Sequence, residues 1–341
     1  MPVLQQVSLR PYNTFGVDAT ARYFVTADSV AALLDALASP ALDGLPRLLL
    51  GGGSNFLFID DWPGVVVRLD ATGIDLVDET ADHVLIRAGA GESWHRFVRA
   101  TIAMGYGGLE NLSLIPGTVG AAPVQNIGAY GLELAQRFAS LERVDLDSGQ
   151  TTTMDREACH FGYRDSWFKR QPAGRHLIGA VTVALPKKPQ WLLGYGELAE
   201  RVAARGRGEI SARLISDVVS EIRRHKLPDP ARLGNAGSFF KNPVVSAAGA
   251  DRLRGDYPDV PLYPVDGGYK LPAAWLIERC GWKGRRIGDA GVAPGHALVL
   301  VNHGSASGAD IWALARRIID DVGERFGLLL EPEPRIPGVN C

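Results

Sequence analysis

The stretch GNAGSFFKNP, residues 234–243, sets one hydroxyl, Ser238, between small residues and two aromatics. A serine there can be a nucleophile, an anion holder, a proton donor or a plain turn residue. A nucleophile wants a positioned base and usually a strained elbow, but no G-x-S-x-G occurs and no histidine lies nearby in sequence. In FGYRDS, residues 161–166, Arg164 stands between an aromatic and an acid. A guanidinium so placed can grip a carboxylate through two parallel hydrogen bonds, the plain alternative being an ion pair with Asp165. LEPEPR, residues 330–335, brings Glu331 and Glu333, and either carboxylate could reach a site. Arg223, Arg224 and Lys226 either complement the dipole of the helix they end or, for Lys226, face a diphosphate. Neither H-E-x-x-H nor a cysteine cluster is present, so no metal is expected.

Two glycine-rich stretches suit anion binding. Gly51, Gly52, Gly53, Ser54 and Asn55 lie between apolar runs, and successive backbone N–H groups in such a turn can form a nest for phosphate. The match to G-x-G-x-x-G is poor, because Phe56 takes the last glycine position, and Walker A fails for want of Gly-Lys-Ser/Thr. The second stretch, residues 105–131, includes Pro116, Gly117, Thr118, Gly120, Asn126 and Gly128. Glu110 is its only charge, where a chain with 22% charged residues would place about six. Two such loops fit a planar cofactor carrying a pyrophosphate, whose rings need apolar walls and whose phosphates need backbone donors. A buried packing loop is the alternative.

These residues need a scaffold of strands and helices. YFVTADSVAALLDALAS reads as a strand entering a helix capped by Ser29, with Val30, Leu33, Leu34 and Leu37 on one face. PRLLLGGGSNFLFID reads as two strands joined by the glycine turn. Strands are expected near 141–147 and 176–185, followed by a helix in ISDVVSEIRRHKLPDP that Pro228 ends, with a domain boundary there. In the last third, ALVLVN reads as a strand and Ala309–Phe326 as a helix closed by Gly327, before a strand in LLLEPEPR. This mixed order favours α+β domains over one doubly wound sheet.

A chain of 341 residues exceeds what one core usually organises, so two or three domains are expected. A net charge of -2 gives no global bias towards nucleic acid, so an anionic ligand must be held locally. No run of 18 apolar residues and no basic, apolar leader are present, which points to a cytoplasmic protein with no membrane partner. Cys159, Cys280 and Cys341 read as unpaired thiols, two of them buried and one at the chain end.

The motifs NTFGV, LLGGGSN, GLENLSLIPGTVGAAPVQNIGAYG, FGYRDSWFK, GYGEL, KLPDP, NAGSFFKNP and EPEPR occur in this order between residues 13 and 338. Together they resemble the UDP-N-acetylenolpyruvoylglucosamine reductase (UDP-N-acetylmuramate dehydrogenase) family, in the class whose extra tyrosine loop is marked here by AYG and GYGEL. The resemblance implies a multi-domain flavoprotein with two FAD-binding α/β subdomains, residues 1–70 and 71–226, the second carrying the tyrosine loop near 190–198. An α+β substrate domain with a C-terminal catalytic strand would occupy residues 227–341. It implies non-covalent FAD, NADPH as hydride donor, and UDP-N-acetylglucosamine enolpyruvate as substrate in peptidoglycan precursor synthesis. A monomer that binds no nucleic acid is expected.

By the same resemblance, Arg164 and Glu333 serve the substrate carboxylate and Ser238 donates a proton to the adjacent carbon. Glu333 is preferred to Glu331 by its spacing to Arg335. Gly51, Gly52, Gly53, Ser54, Asn55, Pro116, Gly117, Thr118, Val119, Gly120 and Arg335 would face FAD. Tyr130, Tyr195, Lys226, Asn242 and His296 would surround the sugar nucleotide. Two rival readings are another FAD oxidoreductase with covalent flavin and an inactive sugar-nucleotide sensor. Residues 51–61 hold no histidine or cysteine for a flavin link, and intact Arg164, Ser238 and Glu333 speak against a sensor.

Overall fold

β-Branched and aromatic residues in TARYFVTA and WPGVVVRL fill two neighbouring strands, Thr20–Ala27 and Trp62–Leu69, which run parallel with Val25 opposite Val67. In the computed structural model, which describes residues 3–206 and 208–339, the chain forms two compact units divided at Arg224 and His225. The first takes the N-terminal residues to Val7, Ala21–Gly53 and Trp62–Arg224, and the second takes Ser8–Thr20, Ser54–Asp61 and the chain from His225. The two larger sheets of the 1–226 region thus lie mainly in one unit, and two short stretches that the sequence offered no reason to separate belong to the other.

In the first unit, a four-stranded sheet has the order Leu4–Ser8, Thr20–Ala27, Trp62–Leu69, Arg47–Leu49. Helix Val30–Leu37 begins at Ser29, whose hydroxyl accepts from the Ala32 amide, and buries Leu33 and Leu37 against Val25, Val65 and Val67. A second, antiparallel sheet has the order Thr151–Asp155, Phe138–Asp145, His176–Pro186, His83–Gly89, Ile74–Glu79. The charge-poor run from 105 to 131 has irregular backbone with two 3-10 segments, Glu110–Leu112 and Val119–Gln125. Its Leu109, Leu112, Val119, Ala122 and Ile127 are buried with Ile86, Trp94, Phe97, Val181 and Val183, which accounts for the missing charges.

In the second unit, an antiparallel sheet has the order Gly234–Ser238, Val299–Asn302, Ala290–Val292, Arg286–Ile287. Helix Gly308–Phe326 starts in a reciprocal cap between Ser307 and Asp310 and ends at Gly327, whose φ of +66° a glycine tolerates at no steric cost. The expected α+β order is therefore present.

Some expected elements differ. LLLEPEPR is not a strand, and among the described residues its β-pairing is confined to the isolated bridges Phe240 to Pro332 and Phe56 to Arg335. Pro332 and Pro334 have no N–H, so no continuous ladder can form. FLFID, expected as a strand, likewise takes part only through the Phe56 bridge. Cys159 is buried and Cys280 only partly so, its thiol lying near the Asp321 carbonyl on helix Gly308–Phe326; Cys341 lies outside the described residues.

Candidate active site

In the first unit the two glycine stretches lie against one another. A methyl group on Gly52 would sit 2.9 Å from the Gly117 Cα, and one on Gly51 would sit 2.6 Å from the Thr118 Oγ1. Gly117, at φ +106°, adopts a conformation that L side chains rarely take. Among the described residues, the amides of Gly51, Gly52 and Gly53 have no acceptor, so this turn offers consecutive donors. The neighbouring residues are used otherwise: the Val119 amide donates to Glu92 (2.8 Å), its side chain is in the core, and the Gly120 amide donates to Ala90 (2.9 Å). Pro116, Gly117 and Thr118 are the part of this loop beside the donor turn.

The same unit gathers the arginine and both tyrosines. Arg164 does not pair with Asp165, which binds Arg170 at 3.0 Å. Its Nη2 instead donates to the Gly128 carbonyl at 3.1 Å, and its backbone is left-handed at φ +53°. Such a conformation costs about 1–3 kcal/mol and persists only where surroundings enforce it. Here they do: Asn126, fully buried, donates to the Gly162 carbonyl (3.0 Å), and the Ser166 hydroxyl donates to Val124 (2.7 Å). Tyr130 meets Tyr195 edge to face, ring centroids 5.7 Å apart. Burial pushes the Tyr130 phenol above its ordinary pKa, so it remains a neutral hydrogen-bond donor at pH 7.

Arg223 belongs with this cluster, a role that a helix-end arginine does not advertise in sequence. Its Nε donates to the Leu114 carbonyl at 3.3 Å. Burial lowers its pKa first, Tyr130 opposes the shift, and the like charge of Arg164 lowers it further. Two guanidinium groups thus share a partly buried region, and arginine keeps its charge under such stress. The arrangement is suited to an anionic oxygen-rich ligand.

The second unit positions Ser238 and Glu333. Strand Gly234–Ser238 breaks register against Val299–Asn302 between Asn235 and Ser238, where Gly237 has φ +70°. The buried Asn235 side chain accepts from the Gly237 amide and donates to the Pro228 and Leu233 carbonyls, fixing this bulge. The Ser238 hydroxyl, half-buried, makes no hydrogen bond to a described residue. With prolines on both sides, Glu333 has an N–H to offer, and it donates to Phe239 at 2.8 Å, placing residue 333 beside the serine's neighbour. Glu331 is exposed and paired with Lys241 at 2.8 Å. The Arg335 amide donates to Asn55, and its guanidinium lies over Phe56 at 5.9 Å. The Asn55 side chain donates to the Glu333 carbonyl at 3.2 Å.

The remaining residues named from sequence also belong to this unit. The Asn242 Oδ1 accepts from the Ala273 amide, so that oxygen secures the start of helix Ala273–Arg279. Lys226 is exposed at a helix end, and its backbone lies beside Gly295. The His296 pKa is lowered, mainly by burial and also by Lys226 and Lys283, with Glu278 opposing.

The donor turn and the close approach of the two glycine loops fit a dinucleotide pyrophosphate. Residues 21–155 match the description "FAD binding domain", and residues 229–337 match "UDP-N-acetylenolpyruvoylglucosamine reductase, C-terminal domain". Proteins named UDP-N-acetylenolpyruvoylglucosamine reductase from Pseudomonas putida and Pseudomonas aeruginosa are each 52% identical over 97% of this chain and 98% of their own. The crystal structure of the reductase from Thermus caldophilus superposes with a TM-score of 0.69 at 26% identity, covering 98% of this chain and 99% of that one. Identity of that level along nearly the whole length, with a matching fold, leaves one conclusion: the chain belongs to the UDP-N-acetylenolpyruvoylglucosamine reductase family.

Proposed function

We propose that this protein carries out the NADPH-dependent, FAD-mediated reduction of UDP-N-acetylglucosamine enolpyruvate to UDP-N-acetylmuramate, a step of peptidoglycan precursor synthesis. The observation that carries this reading is the near full-length identity to reductases of that name. FAD, bound without a covalent link, would relay hydride from NADPH to the terminal methylene carbon of the enol ether. The chain's own residues must hold the cofactor and manage the negative charge that then develops on the adjacent carbon and its carboxylate.

The Gly51–Gly53 turn and Pro116–Thr118 are proposed to receive the pyrophosphate, with Ser54, Asn55 and Arg335 as further FAD-facing groups. Arg164 is assigned to the substrate carboxylate, where a guanidinium strengthens its hold as charge accumulates. Arg223 adds positive potential in the same region. Glu333 is assigned to the same carboxylate group, which requires that one of the facing oxygens carry a proton. Ser238 is assigned as the proton donor to the adjacent carbon, and its hydroxyl has no competing protein acceptor among the described residues. A serine is a feeble acid in water, so the transfer works only when the carbanion is in contact with it. Tyr130, Tyr195, Lys226, Asn242 and His296 are proposed to bind the sugar nucleotide, with Tyr195 and Lys226 on the diphosphate.

Among the described residues no helix is long and apolar enough to cross a membrane. A monomer acting in the cytoplasm, where sugar nucleotides and NADPH are both available, completes the proposal. It is tested with the purified holoenzyme. NADPH should bleach the flavin under anaerobic conditions, and the enolpyruvyl sugar nucleotide should restore its colour. Reoxidation by oxygen but not by that substrate would refute the assignment.

A further inference from the structure

Asn111 is 1% exposed, and its side-chain amide joins two segments that have no other hydrogen bond between them among the described residues. Its Nδ2 donates to the Tyr130 carbonyl at 2.7 Å and to the Leu192 carbonyl at 2.8 Å. Both acceptors are carbonyl oxygens, so the amide can face them only through its nitrogen. The Oδ1 is left buried without a donor. A buried acceptor without a partner is a free-energy penalty, and the two donations made by the nitrogen are what offset it.

The anchor itself is firm. Asn111 lies in the 3-10 turn Glu110–Leu112, between the fully buried Leu109 and Leu112, and the Glu110 carboxylate accepts from the Gly108 amide. The segments it ties are irregular in backbone, although Tyr130, Trp191 and Leu193 pack their side chains against Leu198, Val202, Ile215 and Val219. Tyr130 has a left-handed backbone at φ +49°, which a non-glycine residue keeps only under restraint. Leu192 belongs to a stretch, 189–194, with neither helix nor strand, just before Tyr195. Tyr195 is 59% exposed and touches Tyr130 by the edge-to-face ring contact.

We propose that Asn111 is a positioning residue for the sugar-nucleotide site: one amide fixes the backbones of Tyr130 and of the Tyr195 segment, and so sets how the two rings meet the substrate. This rests on the assignment of both tyrosines to the substrate. Asn111 acts through these carbonyls and touches no reacting atom.

The experiment is a double-mutant cycle on the holoenzyme, comparing Asn111→Ala, Tyr195→Ala and the double variant. The readouts are KM for the enolpyruvyl sugar nucleotide, kcat, and the anaerobic rate of flavin reduction by NADPH. Losing two hydrogen bonds that order a binding segment should raise KM about tenfold in Asn111→Ala, while flavin reduction changes by less than about threefold. In the Tyr195→Ala background, the added effect of Asn111→Ala on KM should shrink to about threefold, the share that still acts through Tyr130. Asn111→Asp keeps the shape, removes the donations and sets a carboxylate against two carbonyls, so it should raise KM at least as much. It also serves if the alanine variant fails to fold. Equal KM effects in both backgrounds would overturn the positioning role while leaving Tyr195 in the site. A uniform loss of KM, kcat and flavin reduction would likewise overturn it in favour of a purely structural asparagine. An unchanged KM in Tyr195→Ala alone would remove the substrate reading of the tyrosine segment, and the inference with it.

Discussion

Gly52→Ala tests the proposed cofactor cradle most directly. The added methyl would lie 2.9 Å from the Gly117 Cα and 3.4 Å from its carbonyl carbon, and both are backbone atoms that cannot rotate away. Carbon atoms normally rest about 3.5–4.0 Å apart, so the two loops must separate by roughly 0.6–1 Å. Overpacking of this kind costs about 1–3 kcal/mol. If the strain is relieved by opening the loops, the amide donors leave their phosphate-binding arrangement. The FAD dissociation constant should then rise about 5- to 150-fold, at tenfold per 1.4 kcal/mol. Titration of the apoprotein with FAD, followed by flavin fluorescence, measures this, and thermal unfolding of the apoprotein reports the packing cost separately. Gly255→Ala is the control: it lies in helix Ala247–Asp256 with no atom within 4 Å of the added methyl, and the change should leave FAD binding alone. A folded Gly52→Ala protein that binds FAD within twofold of the parent would refute the cradle.

Ser238→Ala should leave bleaching by NADPH nearly intact and slow reoxidation by the enolpyruvyl substrate about 10²- to 10⁴-fold; equal loss in both half-reactions would count against a proton donor. Glu333→Gln should slow the same reoxidation. Glu331→Gln weakens the exposed pair with Lys241, and should change stability by less than about 1 kcal/mol with turnover unaltered. His95, His176 and His296 all have pKa values lowered from 6.5, chiefly by burial. The folded protein therefore holds these protons less tightly than the unfolded chain, and the stability they confer is present above pH 6.5 and lost as pH falls below it. Thermal scans from about pH 7.5 down to about pH 5.5 should show the midpoint falling, and His296→Gln should shallow that fall.

Local signals with a short physical range were legible in the sequence. Ser29 ahead of an apolar helical face, Gly327 after Phe326 and Pro228 beyond Lys226 mark helix ends through bonds made within one turn. The charge-poor run 105–131 announced burial, because an ionised side chain there would have to leave water. Gly51 to Gly53 and Gly117 could each be named as special turns. That the one lies on the other required the fold, since it depends on strands that meet across dozens of residues.

Long-range pairing also decided what the prolines did. LLLEPEPR has the apolar start of a strand, yet Pro332 and Pro334 leave only alternate N–H groups, and these go to Phe239 and Asn55, two separate partners. Glu331 and Glu333 are chemically identical in sequence. Lys241 captures the first at the surface, and the backbone bond to Phe239 sets the second near Ser238. Arg164, adjacent to Asp165, looked like half of a local ion pair until Arg170 took the acid and the Gly128 carbonyl took the guanidinium. Arg223 read only as a helix-end charge and Asn111 gave no signal in one dimension, because their roles come from carbonyls and charges far along the chain. Residue type and near neighbours thus specified which chemistry the chain could offer, including a hydroxyl, guanidinium groups, carboxylates and glycine turns. Which of these groups face one another was left to tertiary packing, because electrostatic and hydrogen-bond partners are chosen by distance in space and not by separation along the backbone.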